Sequence, residues 1–255
     1  MTAESRPPAE GLWRRVLFVV LMLGLTVLFA ALGVWQWQRM GEKEALATAV
    51  ADRLNRAPVD FPTPDQWPAL DAEFYNYRPL VLTGRYLPEA TLFVFTSLAD
   101  ARGEQRGPGY WVMTPLALDE GGSIFVNRGF IPESSRLAFT AGGMLDSGTV
   151  TITGVGRLPE AVGAFTPEPD PAKRLEYVRN IERLARLAEG APAPVAPIYL
   201  DLPASGSGVL PQGGETVVEF PNNHFGYALT WFGFAVLTPV LLAFWLRRPR
   251  ARKAP

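Results

Sequence analysis

Two long apolar runs frame the chain. Residues 16–35 and 227–246 each hold 20 positions without a charged side chain. About 20 apolar residues wound as a helix cross the roughly 30 Å hydrocarbon layer of a bilayer, so both runs predict transmembrane helices. The first is longer than the roughly 7 to 15 apolar residues of a cleaved signal peptide, which favours an anchor. Residues 41–56 are expected to carry the first helix on beyond the membrane, up to Pro58. Between the spans, short apolar and β-branched runs are punctuated by Pro and Gly, and they predict strands at 79–86, 91–96, 110–118, 123–130, 149–157, 198–202 and 216–220. In Thr149-Val150-Thr151-Ile152-Thr153 polar and apolar residues alternate, the mark of a half-buried strand, and antiparallel pairing is expected of such strands. Residues 176–189 break the pattern with Val178, Ile181, Leu184 and Ala188 at helical spacing and Gly190 as a stop, which predicts one amphipathic helix. Its Arg179, Arg183 and Arg186 alternate with Glu176, Glu182 and Glu189 and read as a solvated face. Pro- and Gly-rich stretches at 159–172 and 203–214 read as loops.

Charge sets the orientation. Arg247, Arg248, Arg250, Arg252 and Lys253 follow the second span, whereas residues 211–226 before it hold only Glu215 and Glu219. By the positive-inside rule the second helix runs from outside to inside, and both termini are then cytoplasmic. The organisation expected is a cytoplasmic N-terminus over 1–15, helix one over 16–36, an outer β-rich domain over 37–223, helix two over 224–246 and a basic tail over 247–255. This is an α+β membrane protein, with two transmembrane helices flanking a β-rich antiparallel extracytoplasmic domain, a small barrel or folded sheet with one added helix. The N-terminus lacks an Arg- and Ser-rich transit region, which favours a bacterial cytoplasmic (inner) membrane over a mitochondrial one.

Composition narrows the chemistry. The chain has 24 basic and 25 acidic residues, so no nucleic-acid partner is implied. With no cysteine it can form neither disulfides nor thiolate metal sites, and with one histidine it cannot build a His-only cluster. No hydrolase, phosphate-loop or dinucleotide motif is present, so no enzyme is expected. That leaves Pro221-Asn222-Asn223-His224-Phe225-Gly226-Tyr227, where Asn222 or Asn223 is positioned to cap the second helix and His224 falls in its first turn. A histidine there serves either as a metal ligand or as a plain hydrogen-bonding group.

Four motifs follow in order: Gly33-Val34-Trp35-Gln36-Trp37-Gln38-Arg39, then Tyr77-Arg78-Pro79, then the pair Gly109-Tyr110-Trp111 and Val126-Asn127-Arg128-Gly129-Phe130, then Asn222-Asn223-His224 with Tyr227 and Trp231. Together they resemble the Surfeit locus protein family of cytochrome c oxidase assembly factors. The resemblance implies a chaperone for haem–copper oxidases that holds haem a and passes it to oxidase subunit one, with haem a synthase as a further partner. By the same resemblance His224 is the iron ligand and Trp231 and Tyr227 are ring neighbours. Arg39 and Arg128 are candidates for the propionates. A cofactor-free scaffold that grips an oxidase subunit is the alternative.

Helical angles add an expectation about the helix pair. Gly226, Thr230 and Gly233 on helix two, and Thr26, Ala30 and Gly33 on helix one, form stripes of small residues that are expected to pack together. His224, Ala228 and Trp231 would then face lipid or the oxidase, with a slot over Ala228. The competing geometry sets His224 against Trp35 and Gln36.

Overall fold

The structure is a computed structural model that describes residues 10–145, 147–215 and 222–248. The expected strand at 216–220 and the basic tail beyond Arg248 lie outside the described residues. The chain divides into two compact units, one of Met1–Ala49 with Glu219–Pro255, the other of Val50–Val218.

The first unit is a helix pair. Helix α1, Glu10–Leu54, runs unbroken for 45 residues, so the chain stays helical well past the apolar run, as expected for residues 41–54. Helix α4, His224–Arg247, has 24 residues. Both are long and apolar enough to cross a membrane. Low-numbered residues of α1 meet high-numbered ones of α4, which makes the pair antiparallel: Phe18 lies 4.6 Å from Trp245 by ring centroids, and Phe29 lies 5.7 Å from Trp231.

The seam between them corrects the stripe expectation. Gly33 does face α4, but a Cβ placed on it would stand 2.6 Å from the ring of Phe232. Gly226 and Gly233 have open space where a Cβ would be, so their stripe is not in the contact. The buried face of α4 carries Ala228, Thr238 and Leu242, one turn and more beyond His224. The physical reason is ring size. Phe29, Trp231, Phe232 and Phe234 offer far more contact area than a row of Gly and Thr, and Gly33 forms the notch that seats one of them.

The second unit is a barrel. Its elements are strand β1 (Val59–Asp60), helix α2 (Ala72–Tyr75), strands β2 (Pro79–Tyr86), β3 (Leu92–Leu98), β4 (Gly107–Leu118), β5 (Ser123–Pro132), β6 (Val150–Arg157) and β7 (Leu175–Glu176), helix α3 (Ile181–Leu187) and strand β8 (Val195–Asp201). Five strands close a ring in the order β2-β4-β5-β8-β6 and back to β2. Numbered along the chain, that is one-two-three-five-four, a five-stranded Greek-key barrel of the OB type. Closure depends on β2, which pairs with β6 through residues 79–84 and with β4 through 84–86. Gly84 sits at the switch, where an added Cβ would stand 2.2 Å from the carbonyl oxygen of Ala117. Beyond the ring, β3 extends the sheet from β4, and β7 pairs with β3.

The sheet is mixed rather than antiparallel, because β1 with β2, β3 with β7 and β5 with β8 pair in parallel. Half-buried alternation specifies which face of a strand is wet, and it leaves strand direction open when a long crossover, here 133–194, separates two partners. Leu80, Leu82, Ile124, Val126, Ile198 and Leu200 alternate into the barrel core with Trp67. The intervening Phe125 and Tyr199 face outward into a second core with Trp111 and Met113, which α3 covers with Ile181, Leu184 and the adjacent Ala188. Strands β5 and β8 are therefore buried on both faces, and each fully buried Leu or Ile there contributes about 1.5–3 kcal/mol.

Helix α3 is shorter than predicted. Val178, Ile181, Leu184 and Ala188 are all buried, as their spacing requires, yet the helix begins only at Ile181. Asn180 caps it by accepting the N–H of Arg183 at 3.2 Å. Upstream, Glu176 lies in β7 opposite Val94, and its fully buried carboxylate pairs with Arg183 at 2.9 Å. Of the three arginines only Arg186 is solvated, as expected. Arg183 is buried, and Arg179 pairs with Glu160 while lying 5.1 Å above the Trp111 ring.

Candidate functional site

His224 opens α4. Asn223 occupies the N-cap position without a side-chain cap bond, and the Asn222 side chain reaches across to α1 instead, its Nδ2 donating to the Met40 carbonyl at 3.3 Å. Neither asparagine therefore caps with its side chain as expected. One turn before Met40, on the same face of α1, Gln36 meets His224, with Oε1 2.6 Å from Nδ1. The histidine is half-buried in the helix seam rather than turned away from it. This is the competing geometry of the sequence reading, with Gln36 as the contact; Trp35 is 51% exposed.

The other expected ring neighbours lie on α4 and α1. Trp231, two turns after His224, stacks on Phe29 with 22° between the planes and meets Phe234 edge-on at 6.1 Å. Ala228, between them on the same face, is buried, so no open slot lies above it. Tyr227 is 59% exposed. Arg39, one turn beyond Gln36, pairs with Glu42 at 2.6 Å, and its side chain is 46% exposed. His224, Trp231, Tyr227 and Arg39 all belong to the helix pair.

Arg128 belongs to the barrel unit. It lies on β5 with its guanidinium buried, donating from Nη1 to the carbonyl of Gly142 and from Nη2 to that of Met144 at 3.1 Å. Burial lowers its pKa, partly offset by Tyr86, and the same burial pushes the Tyr86 hydroxyl up to about 12. These bonds tie the chain after β5 back onto the barrel. The neighbouring motif residues also build structure. Asn127 donates to Asp201 at 2.8 Å, Asp201 pairs with Arg157 at 3.3 Å, and the Arg157 guanidinium stacks 4.4 Å from the ring of Tyr77. At Gly129, with φ +126°, a Cβ would stand 2.3 Å from the Gln212 carbonyl oxygen.

Sequence reasoning set Gln36 beside His224 only as the competing geometry, because the two lie 188 residues apart and helical periodicity does not say which faces meet. An uncharged amide inside the Trp-Gln-Trp-Gln run, at the end of an apolar helix, was the available signal. Among the described residues no three His, Asp or Glu side chains gather as a metal site, so His224 offers a single nitrogen.

Two apolar helices long enough to cross a membrane, one on either side of a small closed barrel in the sequence, with the one histidine at the head of the second helix, define the class of protein. The sequence pattern of the SURF1 family matches residues 23–236, and this chain belongs to that family. Surfeit locus protein 1 of Xenopus tropicalis is 31% identical over 92% of this chain and 77% of its own length. The human Surfeit locus protein 1 is 28% identical over 88% of this chain and 75% of its own, and a SURF1-like protein of Monosiga brevicollis is 29% identical over 88% and 85%.

Proposed function

We propose that this protein is an assembly factor for haem–copper cytochrome c oxidase, which holds haem a on His224 and aids its insertion into oxidase subunit one, with haem a synthase as the donor. The observation that carries the reading is the His224 imidazole, held by Gln36 through Nδ1 while Nε2 has no partner among the described residues. The residues fit the group. An imidazole is an ordinary ligand of haem iron, and Tyr227 and Trp231, which would flank the ring, follow His224 on α4. Arg39 is suited to a propionate, since its exposed pair with Glu42 is worth only about 0–1 kcal/mol and is readily exchanged. His224 would hold the group through its imidazole nitrogen, and haem would supply the iron that this nitrogen ligates. Arg128, with its donors spent on carbonyls, holds the barrel together instead. The role is binding and hand-over, without catalysis.

The helices cross the bacterial cytoplasmic membrane in this reading, with both termini inside. Support comes from the five cations over residues 247–253, at and beyond the end of α4, and from the apolar length of both helices. A cofactor-free scaffold is the second reading, favoured by the His224–Gln36 bond serving simply to join two helices.

Protein purified from cells that make haem a separates them. Wild type is expected to carry haem with visible absorbance, His224→Ala to lose at least about ten-fold of it, and Arg128→Gln to keep it. Equal haem in wild type and His224→Ala overturns the haem reading, and subunit one captured equally by both then establishes the scaffold.

A further inference from the structure

We infer that Gln36 is a positioning residue that fixes the tautomer of His224, placing the proton on Nδ1 and leaving the Nε2 lone pair as the one available for a metal. The inference deepens the haem reading and rests on it for its consequence, but the tautomer is a property of the protein alone. An amide oxygen has no proton to give, so a contact of 2.6 Å between Gln36 Oε1 and His224 Nδ1 requires the ring to donate from Nδ1. A neutral imidazole carries one N–H, hence Nε2 is bare. Neutral imidazole in water leans the other way, with the proton on Nε2, so the contact does work on the ring. It is also well anchored. Gln36 and Met40 lie one turn apart on α1, and the second bond, from Asn222 Nδ2 to the Met40 carbonyl, fixes the start of α4 two residues before the histidine. Trp231 stacked on Phe29 and Phe232 seated at Gly33 hold the same seam further along. Bonds of this type, from the far nitrogen of a metal-bound imidazole, set ring orientation and are commonly worth about 10- to 100-fold in metal affinity.

Because the chain has one histidine, [15N]histidine labelling yields the signals of that ring and no other. Full-length protein without haem, in lipid nanodiscs at a pH of about 8.5 where an ordinary imidazole is neutral, is expected to show a protonated Nδ1 and a bare Nε2. Gln36→Leu, which removes the acceptor, is expected to move the ring to the Nε2–H form. Gln36→Glu, which keeps an acceptor oxygen, is expected to retain the wild-type pattern. A wild-type ring protonated on Nε2, or a Gln36→Leu ring unchanged from wild type, overturns the assignment. Haem titration of the same three proteins carries the consequence: about ten-fold or more weaker binding in Gln36→Leu and recovery in Gln36→Glu. Equal haem affinity in Gln36→Leu and wild type overturns the metal-positioning role even where the tautomer changes. Failure of the parent reading looks different, since His224→Ala would then bind haem as well as wild type does.

Discussion

Burial alone would raise the pKa of the Glu160 carboxyl, but the Arg179 guanidinium beside it, donating from Nε at 2.9 Å, and the Arg179 backbone N–H at 2.8 Å together hold it below the ordinary carboxylate range. A carboxyl depressed in the folded state stabilises the fold above its unfolded pKa of about 4.5, and that contribution is lost as the pH falls through the folded value. Glu160→Gln removes the effect. Denaturant midpoints measured from pH 7 down to about pH 3 are therefore expected to fall less steeply in the variant than in wild type, and parallel curves would show that the pair adds nothing. The interaction was not legible in the sequence. Glu160 sits in a proline-rich stretch and Arg179 in what reads as a charged helical face, and only the folded chain brings Arg179 under Trp111 and Tyr199. His224 is the opposite case. A lone histidine beside an apolar run stands out in the sequence, and its partner Gln36 enters there only in the competing geometry.

Elements were legible where side chains repeat with a clear period. Strand β2 spans Pro79–Tyr86 as its β-branched and apolar run predicts, and the apolar stripe of α3 is buried residue for residue. The two-residue strands β1 and β7 carry no periodicity, so nothing in their sequence separates them from loop. Between α1 and α4, periodicity defines faces without saying which two meet, and aromatic bulk decided against the small stripe of α4. Cysteines at Gly33 and Phe232, introduced together into this cysteine-free chain, are expected to crosslink efficiently under mild oxidation. A pair at Gly33 and Gly226 is expected not to, since open space surrounds Gly226. The reverse pattern would restore the small-residue seam and turn His224 outward.

For the whole molecule, a small barrel or folded sheet was legible in the sequence, but the order in which its strands close the ring was not. Each of its five strands can be found locally, but the parallel union of β5 with β8 and the shared pairing of β2 are long-range facts. Gly84 carries the closure. Gly84→Val is expected to lower the unfolding free energy of the full chain by about 1–3 kcal/mol or more, because a backbone carbonyl occupies the space of its side chain. Gly148→Val, with no atom nearby, is expected to stay within about 0.5 kcal/mol of wild type. Equal denaturant midpoints for the two would show that β2 does not bind both neighbours. The ring also imposes a timetable on synthesis. Its last strand, β8, fills the place between β5 and β6, so a growing chain that has passed β6 but not reached Val195 holds both strands without the neighbour they share. Their unpaired edges attract other strands until it arrives. By then α1 has long been made and α4 begins only about 20 residues further on, so the barrel receives its last strand just before the second apolar helix is synthesised.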